Sequence, residues 1–135
     1  MSQENVEAFK RALDAYNRQD IEALVEGADP EIEWHSAILA GLGGEATVHR
    51  GPDGIREVLR DLYEALGETR IEYPDIRDLG DRVVGIGRTR TRGRGSGAET
   101  ESPHASVVDF KNGKATRVRS YLDPREALEA AGLSE

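Results

Sequence analysis

The sequence predicts an α+β domain, in which three N-terminal helices pack in a strongly curved antiparallel or mixed sheet to form a cone-shaped pocket, with a short helix at the C-terminus. Apolar residues recur at helical spacing in the first half of the chain, whereas the second half alternates apolar and polar residues between hairpin turns. Directly after the last strand, Asp123, Pro124 and Glu126 have the pattern of a capped helix start.

The first half of the chain is predicted to hold three helices and one strand. The first helix covers about residues 4–18, because its apolar residues share one face. Asp20 caps a short second helix that ends near Gly27, and residues 31–35 then alternate as a strand. The Gly-Pro pair at 51–52 begins a third helix. Its buried face is expected to hold Ile55, Val58, Leu59, Leu62 and Leu66.

The second half is predicted to form four strands joined by tight turns. The first three strands cover 69–79, 82–94 and 98–111, with turns at 80–81 and 95–97. Asn112 and Gly113 supply a two-residue turn that needs positive φ, before a last strand at 117–122. Pro74 breaks the alternation of its strand, which predicts a bulge or an edge position. The glycine-rich residues 40–44 are predicted to form a mobile loop.

Composition limits the classes of function. A chain of 135 residues is expected to form one domain over residues 1–135, and its net charge of -8 disfavours nucleic acid as a partner. It has no cysteine, which excludes disulfides, zinc–thiolate sites and cysteine nucleophiles. No apolar run approaches the roughly 20 residues of a membrane span, and residues 1–5 lack signal-peptide features. We therefore expect a cytoplasmic protein that does not contact membranes.

Strand alternation predicts which side chains face the pocket, because residues two apart share one face of a strand. Placing the apolar members inside gives three inner rows: Val84, Ile86, Arg88, Arg90 and Arg92; His104, Ser106, Val108 and Phe110; and Val118, Ser120 and Leu122. An apolar cavity with a few converging polar groups is typical of a small-molecule site. A small apolar ligand is therefore the expected partner.

Four segments carry a resemblance to a known family: residues 15–21, 50–56, 93–97, and 112–114 continuing to 121–123. Together with the order of the elements, they make nearly the whole chain resemble the nuclear transport factor two-like superfamily, and specifically its SnoaL-like branch. That branch includes polyketide cyclases, and ketosteroid isomerase and limonene epoxide hydrolase share the wider fold. Many relatives have no assigned activity, so the resemblance implies the fold and leaves the reaction open.

His35 is the candidate general base. The resemblance places residues 29–35 on the segment that carries the general base of ketosteroid isomerase, and a neutral imidazole is a competent base near neutral pH. The alternative is a hydrogen-bonded histidine at a strand end with no catalytic part.

The resemblance does not extend to the oxyanion hole of the isomerase. The matching positions here are Ala12 and Ser106, which cannot supply the same pair of strong donors, although Tyr16 or His104 could substitute. Isomerisation of a steroid by that mechanism is therefore not expected.

Several further residues are expected to contact the ligand. The set is Tyr16, Trp34, Leu59, Tyr63, Arg88, His104, Ser106, Val118 and Ser120. Arg88 could hold an anionic or enolate oxygen, or it could pair with acidic neighbours such as Glu99 and Glu101. The aromatic residues could sandwich a planar ligand or simply pack in the core.

Two hypotheses follow. The chain is either a cofactor-independent isomerase or cyclase acting on an apolar carbonyl compound, with His35 as base, or a non-catalytic module for ligand binding or dimerisation. No cofactor is expected, and no metal, because the histidines lack paired spacing. A homodimer through the outer face of the sheet is expected. The small outer residues are predicted to be Gly85, Gly87, Thr89, Ala105 and Val107.

Overall fold

A computed structural model describes residues 2–36, 48–92 and 97–133 of the chain. Its elements in chain order are α1 Ser2–Asn17, α2 Ile21–Glu26, β1 Ala28–His35, β2 Val48–Arg50, α3 Gly51–Leu66, β3 Glu68–Asp78, β4 Arg82–Arg92, β5 Glu99–Lys111, β6 Lys114–Tyr121 and α4 Pro124–Ala130. The predicted loop at 40–44 and most of the predicted turn at 95–97 lie outside the described residues. No helix in the described ranges is long and apolar enough to span a bilayer.

The six strands form one curved, unclosed sheet in the order β2-β1-β6-β5-β4-β3. Strand β1 runs parallel to β6, and all other neighbours are antiparallel, so the sheet is mixed. Helices α1, α2 and α3 cover its inner face, and the largest apolar cluster lies between them and the strands. The predicted α+β class is confirmed.

Capping residues set the starts of two short helices, as predicted. The Ala23 backbone N–H donates to Oδ1 of Asp20 at 3.1 Å, and that of Arg125 donates to Oδ1 of Asp123 at 2.9 Å. Each carboxylate thereby accepts from a backbone N–H of the first turn that has no partner within the helix. Pro124 follows its cap inside the first turn of α4.

Strand β3 lies at the edge of the sheet and contains a bulge. Its register with β4 shifts between Glu72 and Asp75, which is where Pro74 cannot donate a hydrogen bond. The predicted effect of Pro74 is confirmed. Tyr73 lies on the inner face with Ile71, and its ring packs against that of Phe9 in α1.

The predicted inner face of β4 is wrong. Its inner residues are Val83, Gly85 and Gly87, which stand opposite Val108, Ser106 and His104 of β5. The outer residues Val84 and Ile86 are instead packed with α4, in a second cluster that includes Ala105, Val107, Ala127 and Ala131. Because α4 buries apolar residues on the outer face while two inner positions are glycine, the hydrophobic pattern indicated the wrong side. Gly85, Gly87 and Thr89 accordingly do not belong to the outer face.

Candidate functional site

A cavity of about 670 Å³ lies between α1, α2 and the inner face of the sheet. Most of its wall is apolar, with contributions from Phe9, Ile71, Trp34 and Val118. The exposed lining residues, which include Arg11 and Ala12 of α1 and Lys114 after the β5–β6 turn, mark the side that opens to solvent. The volume is within the usual range for small-molecule sites.

A buried group of three polar side chains forms part of the cavity wall. The Tyr73 hydroxyl lies 2.7 Å from Nδ1 of His104 and 2.7 Å from Oγ of Ser106. The rings of Tyr73 and His104 are stacked, with centroids 5.9 Å apart. We call Tyr73, His104 and Ser106 the polar cluster. All three line the cavity.

Burial keeps the polar cluster uncharged. Burial lowers the pKa of His104 to about 4, so its imidazole is neutral at neutral pH. Burial likewise raises the pKa of Tyr73 well above its usual value, an effect only partly offset by the hydrogen bond with Ser106. The cluster can therefore exchange hydrogen bonds with a ligand without bringing a charge into the cavity.

Two glycines make room for the polar cluster. A Cβ atom at Gly85 would stand 2.5 Å from Cδ2 of Tyr73 and 2.6 Å from Cζ of Phe9. A Cβ atom at Gly87 would overlap the carbonyl oxygen of Glu72 in the bulge of β3. Because neither glycine has a side chain, the bulged strand can lie close over β4. The Tyr73 hydroxyl thereby reaches β5.

Tyr16 contributes a further buried hydroxyl outside the polar cluster. Its side chain lines the cavity, and its hydroxyl makes no hydrogen bond within the described part of the chain. Burial raises the pKa of Tyr16 to about 12, with a smaller opposing effect from the nearby Thr69 hydroxyl. The Tyr63 hydroxyl donates to the Tyr16 carbonyl at 2.9 Å, which fixes the end of α1 to α3.

The structure brings together six of the nine predicted ligand contacts in the cavity wall: Tyr16, Trp34, His104, Ser106, Val118 and Ser120. Leu59 is fully buried in the apolar core, and Tyr63 has the structural bond just described. Neither lines the cavity.

His35 does not face the cavity, which corrects its predicted position. Along β1, Ile32 and Trp34 line the cavity, so His35 points to the other face of the sheet. There its Nε2 atom lies 3.3 Å from a carboxylate oxygen of Glu33, and its side chain is 38% exposed. Only its backbone carbonyl is near the site, where it accepts a hydrogen bond from the Ser120 hydroxyl at 3.3 Å. The geometry removes the basis for His35 as a base acting in the cavity.

Arg88 also lies on the outer face, contrary to the prediction. Its Nε atom is 3.1 Å from Glu72 and 3.6 Å from Glu101. The alternative, pairing with acidic neighbours, is the arrangement found. Arg90 shares the same two carboxylates.

Sequence reasoning missed Tyr73, Phe9 and the glycine pair as parts of the site. The available signal was the combination of Pro74, which indicates a bulge, with glycines two apart on the neighbouring strand. Such glycines mark a place where another segment approaches closely.

Acidic groups lie only at the mouth of the described part of the cavity. Asp14 and Glu26 are exposed, and Asp14 pairs with Arg18 at 2.9 Å. Within residues 2–36, 48–92 and 97–133, no three His, Asp or Glu side chains lie close enough together to hold a metal ion. The chemistry that this wall offers is hydrogen bonding by neutral groups.

Comparisons with known proteins agree with this architecture. TerC, in a crystal structure with polyporic acid, is 28% identical, with a TM-score of 0.78, over 93% of this chain and 98% of that chain. An NTF2-like protein from Burkholderia xenovorans is 27% identical, with a TM-score of 0.71, over 97% of each chain. A putative SnoaL-like polyketide cyclase from Jannaschia is 19% identical, with a TM-score of 0.74, over 96% and 92%, and it shows the fold alone.

No curated protein matches the chain significantly. The family model of the SnoaL-like domain matches residues 9–118, which confirms the resemblance carried by the sequence segments. The chain belongs to the SnoaL-like domain family.

Proposed function

We propose that this protein binds a small, mostly apolar molecule in the cavity, with the polar end of the ligand against the polar cluster. The observation that carries the proposal is the cluster itself, in which buried, uncharged Tyr73, His104 and Ser106 are hydrogen-bonded in an otherwise apolar wall. Buried polar groups are costly unless they are satisfied, so a wall that holds them at a cavity favours recognition over packing. TerC, the 28% identical relative, was crystallised with a small organic molecule, which supports the same class of function.

Ligand binding can be tested with the only tryptophan of the chain as a reporter, because Trp34 lines the cavity. A library of small apolar compounds with one or two oxygens should contain members that raise the melting temperature and change Trp34 emission. Ala12→Phe, which narrows the mouth, should weaken both effects. Ala65→Phe, at an exposed position of α3, is the matched control and should leave both unchanged. If no compound changes either signal, the proposal is wrong.

A second candidate is a cofactor-independent isomerase or cyclase that acts on an apolar carbonyl compound. The observation in its favour is that the polar cluster could hold a carbonyl oxygen as negative charge develops on it. His35 is not the base in this scheme, so the proton removed next to the carbonyl passes to water that enters through the open side of the cavity. Deuterium exchange of the protons next to the carbonyl of a bound ketone tests it. The wild type should accelerate exchange, and Ser106→Ala should lower that rate by about 100-fold. If a ketone binds but its exchange is not accelerated, the catalytic candidate is wrong and only the ligand-binding function is supported.

We also propose that the protein forms a homodimer through the outer face of the sheet. A separate proposal is that it is located in the cytoplasm. Nε and Nη2 of Arg119 are buried without a hydrogen bond to any described residue, and Asp109 is 3.9 Å away. The Arg119 side chain is still 18% exposed on this face, so its guanidinium group can pair with an acidic group of a second copy. Light scattering should give the mass of a dimer, and Arg119→Gln should shift this mass toward that of the monomer. Arg60→Gln, at an exposed position of α3, should leave the mass unchanged. A monomeric wild type would contradict the dimer, and recovery in the cytosolic fraction checks the location.

A further inference from the structure

The proton positions in the polar cluster decide whether it binds a ligand that accepts a hydrogen bond or one that donates a hydrogen bond. The Tyr73 hydroxyl has one proton and two neighbours at the same distance, Nδ1 of His104 and Oγ of Ser106. If Tyr73 donates to His104, the imidazole proton must be on Nε2, and Ser106 donates to Tyr73. If His104 donates from Nδ1, then Tyr73 donates to Ser106, and the Ser106 proton is left for another partner.

The surroundings of Nε2 distinguish these arrangements. This atom is buried and has no hydrogen-bond partner among the described residues, and His104 is only 1% exposed. With almost no accessible surface, Nε2 cannot contact a water molecule either. Buried N–H groups without an acceptor are rare in proteins, whereas buried acceptors without a donor are more common. Nε2 is therefore the unprotonated nitrogen.

We infer that the hydrogen bonds run in one direction, from Nδ1–H of His104 to Tyr73 and from Tyr73 to Ser106, so that the Ser106 hydroxyl donates to the ligand. The inference rests on the proposed function and narrows its ligand class. The ligand presents a hydrogen-bond acceptor, of which a carbonyl oxygen on a mostly hydrocarbon frame is the simplest form. His104 is a positioning residue in this scheme.

The two consecutive hydrogen bonds also make the Ser106 hydroxyl a stronger donor. Consecutive hydrogen bonds polarise one another, so Ser106 is a better donor than an isolated serine would be. The Ser106 side chain has no further hydrogen-bond partner within the part of the chain that the structure describes, and it lines the cavity. Its proton is therefore available to a ligand.

The free protein permits a first test that needs no ligand. The chain has three histidines, so nitrogen NMR of the variant His35→Gln/His49→Gln observes His104 alone. The coupling pattern should identify Nδ1 as protonated and Nε2 as unprotonated. Ser106→Ala should keep this pattern, because Tyr73 still accepts from Nδ1, whereas Tyr73→Phe should lose it. An Nε2–H pattern in the otherwise unchanged protein would overturn the inference.

Three tricyclic probes of nearly equal shape test the ligand class. Fluorenone has only an acceptor, carbazole only an N–H donor, and fluorene neither. In equilibrium dialysis, fluorenone should bind about fivefold more tightly than fluorene, as one net hydrogen bond provides, and carbazole should gain nothing. Ser106→Ala should remove most of this preference while fluorene binding is retained. Equal binding of all three probes overturns the ligand class. Failure of all three probes to bind overturns the proposed function instead. In that case the NMR pattern still tests the direction of the hydrogen bonds independently.

Discussion

The ring of Tyr73 lies directly over Gly85, so closely that any side chain at position 85 would displace it. A Cβ atom there would also meet Phe9, whose ring packs against Tyr73 with centroids 5.7 Å apart. The position of the Tyr73 hydroxyl therefore depends on residue 85 being a glycine, which has no Cβ atom. The polar cluster depends on it in turn.

Replacing Gly85 with alanine should destabilise the protein. The added methyl group forces two packed aromatic rings to move, and overpacking of this kind costs about 1–3 kcal/mol. Denaturant unfolding measures the loss. Gly27→Ala is the control, because its Cβ would be at least 3.8 Å from other atoms in a backbone conformation that alanine accepts. Equal stability of Gly85→Ala and the wild type would contradict the packing described.

Stability should fall as the pH is lowered from about 6.5 to about 4, partly because of His104. Burial lowers its pKa from the ordinary value of 6.5 to about 4 in the folded protein, so the unfolded chain binds more protons in this range. The effect of this one group is about 3 kcal/mol. His104→Gln should flatten the pH dependence in that window. A wild-type slope in His104→Gln would disprove the assignment.

Asn17 should protect the backbone of edge strand β3. Its Nδ2 donates to the Ile71 carbonyl at 2.9 Å, and its Oδ1 accepts from the Ile71 N–H at 2.8 Å. Asn17→Ala leaves both groups without these partners, which should cost about 1–3 kcal/mol and speed hydrogen exchange at Ile71. Asn5→Ala, which loses a single bond to the Gly80 carbonyl, should leave Ile71 exchange unchanged. Slow exchange at Ile71 in Asn17→Ala would show that the edge is protected in another way.

Asp109 should stabilise the outer face of the sheet through its arginines. One carboxylate oxygen lies 2.6 Å from Nε of Arg82, and the other lies 3.0 Å from Nη2 of Arg117. Partial burial acts to raise the pKa of Asp109, but these guanidinium groups hold it below its usual range. The stabilisation is therefore present above the usual carboxyl pKa and is lost as the pH falls through the lowered value.

Asp109→Asn should accordingly cost about 1–2 kcal/mol at pH 7, because the arginines lose their shared partner. Asp14→Asn, which breaks an exposed pair with Arg18, should change the free energy of unfolding by less than about 0.5 kcal/mol. Unfolding in urea at pH 7 compares the two. Similar values for both variants would count against a special role for Asp109.

Local chemistry made much of the fold predictable. Asp20 and Asp123 cap helices by contacts within three residues, and Pro74 disturbs its own strand, so neighbouring positions in the sequence sufficed. The faces of β4 were not predictable in this way. They depend on α4, a distant element that buries Val84 from outside.

The position of His35 shows a different limit. Alternation within residues 31–35 alone puts Ile32 and Trp34 on one face and His35 with Glu31 and Glu33 on the other, which is the arrangement found. Alignment with a distant isomerase overrode that pattern. Tyr73, in contrast, shares the inner face with Ile71, as alternation indicates, but its hydroxyl meets His104 and Ser106 across the intervening strand β4, a contact that alternation within one strand does not reveal.

The parallel pairing of β1 with β6 has a consequence for biosynthesis. Trp34 stands opposite Val118, so the early strand β1 can pair with β6 only after more than 80 further residues have been synthesised. Contacts this far apart in sequence are slow to form, and an unpaired strand edge is prone to aggregation while it waits. The part of the cavity wall formed by Trp34 and Val118 is thus completed only after β6 has been synthesised, and one edge of β1 has no partner strand until then.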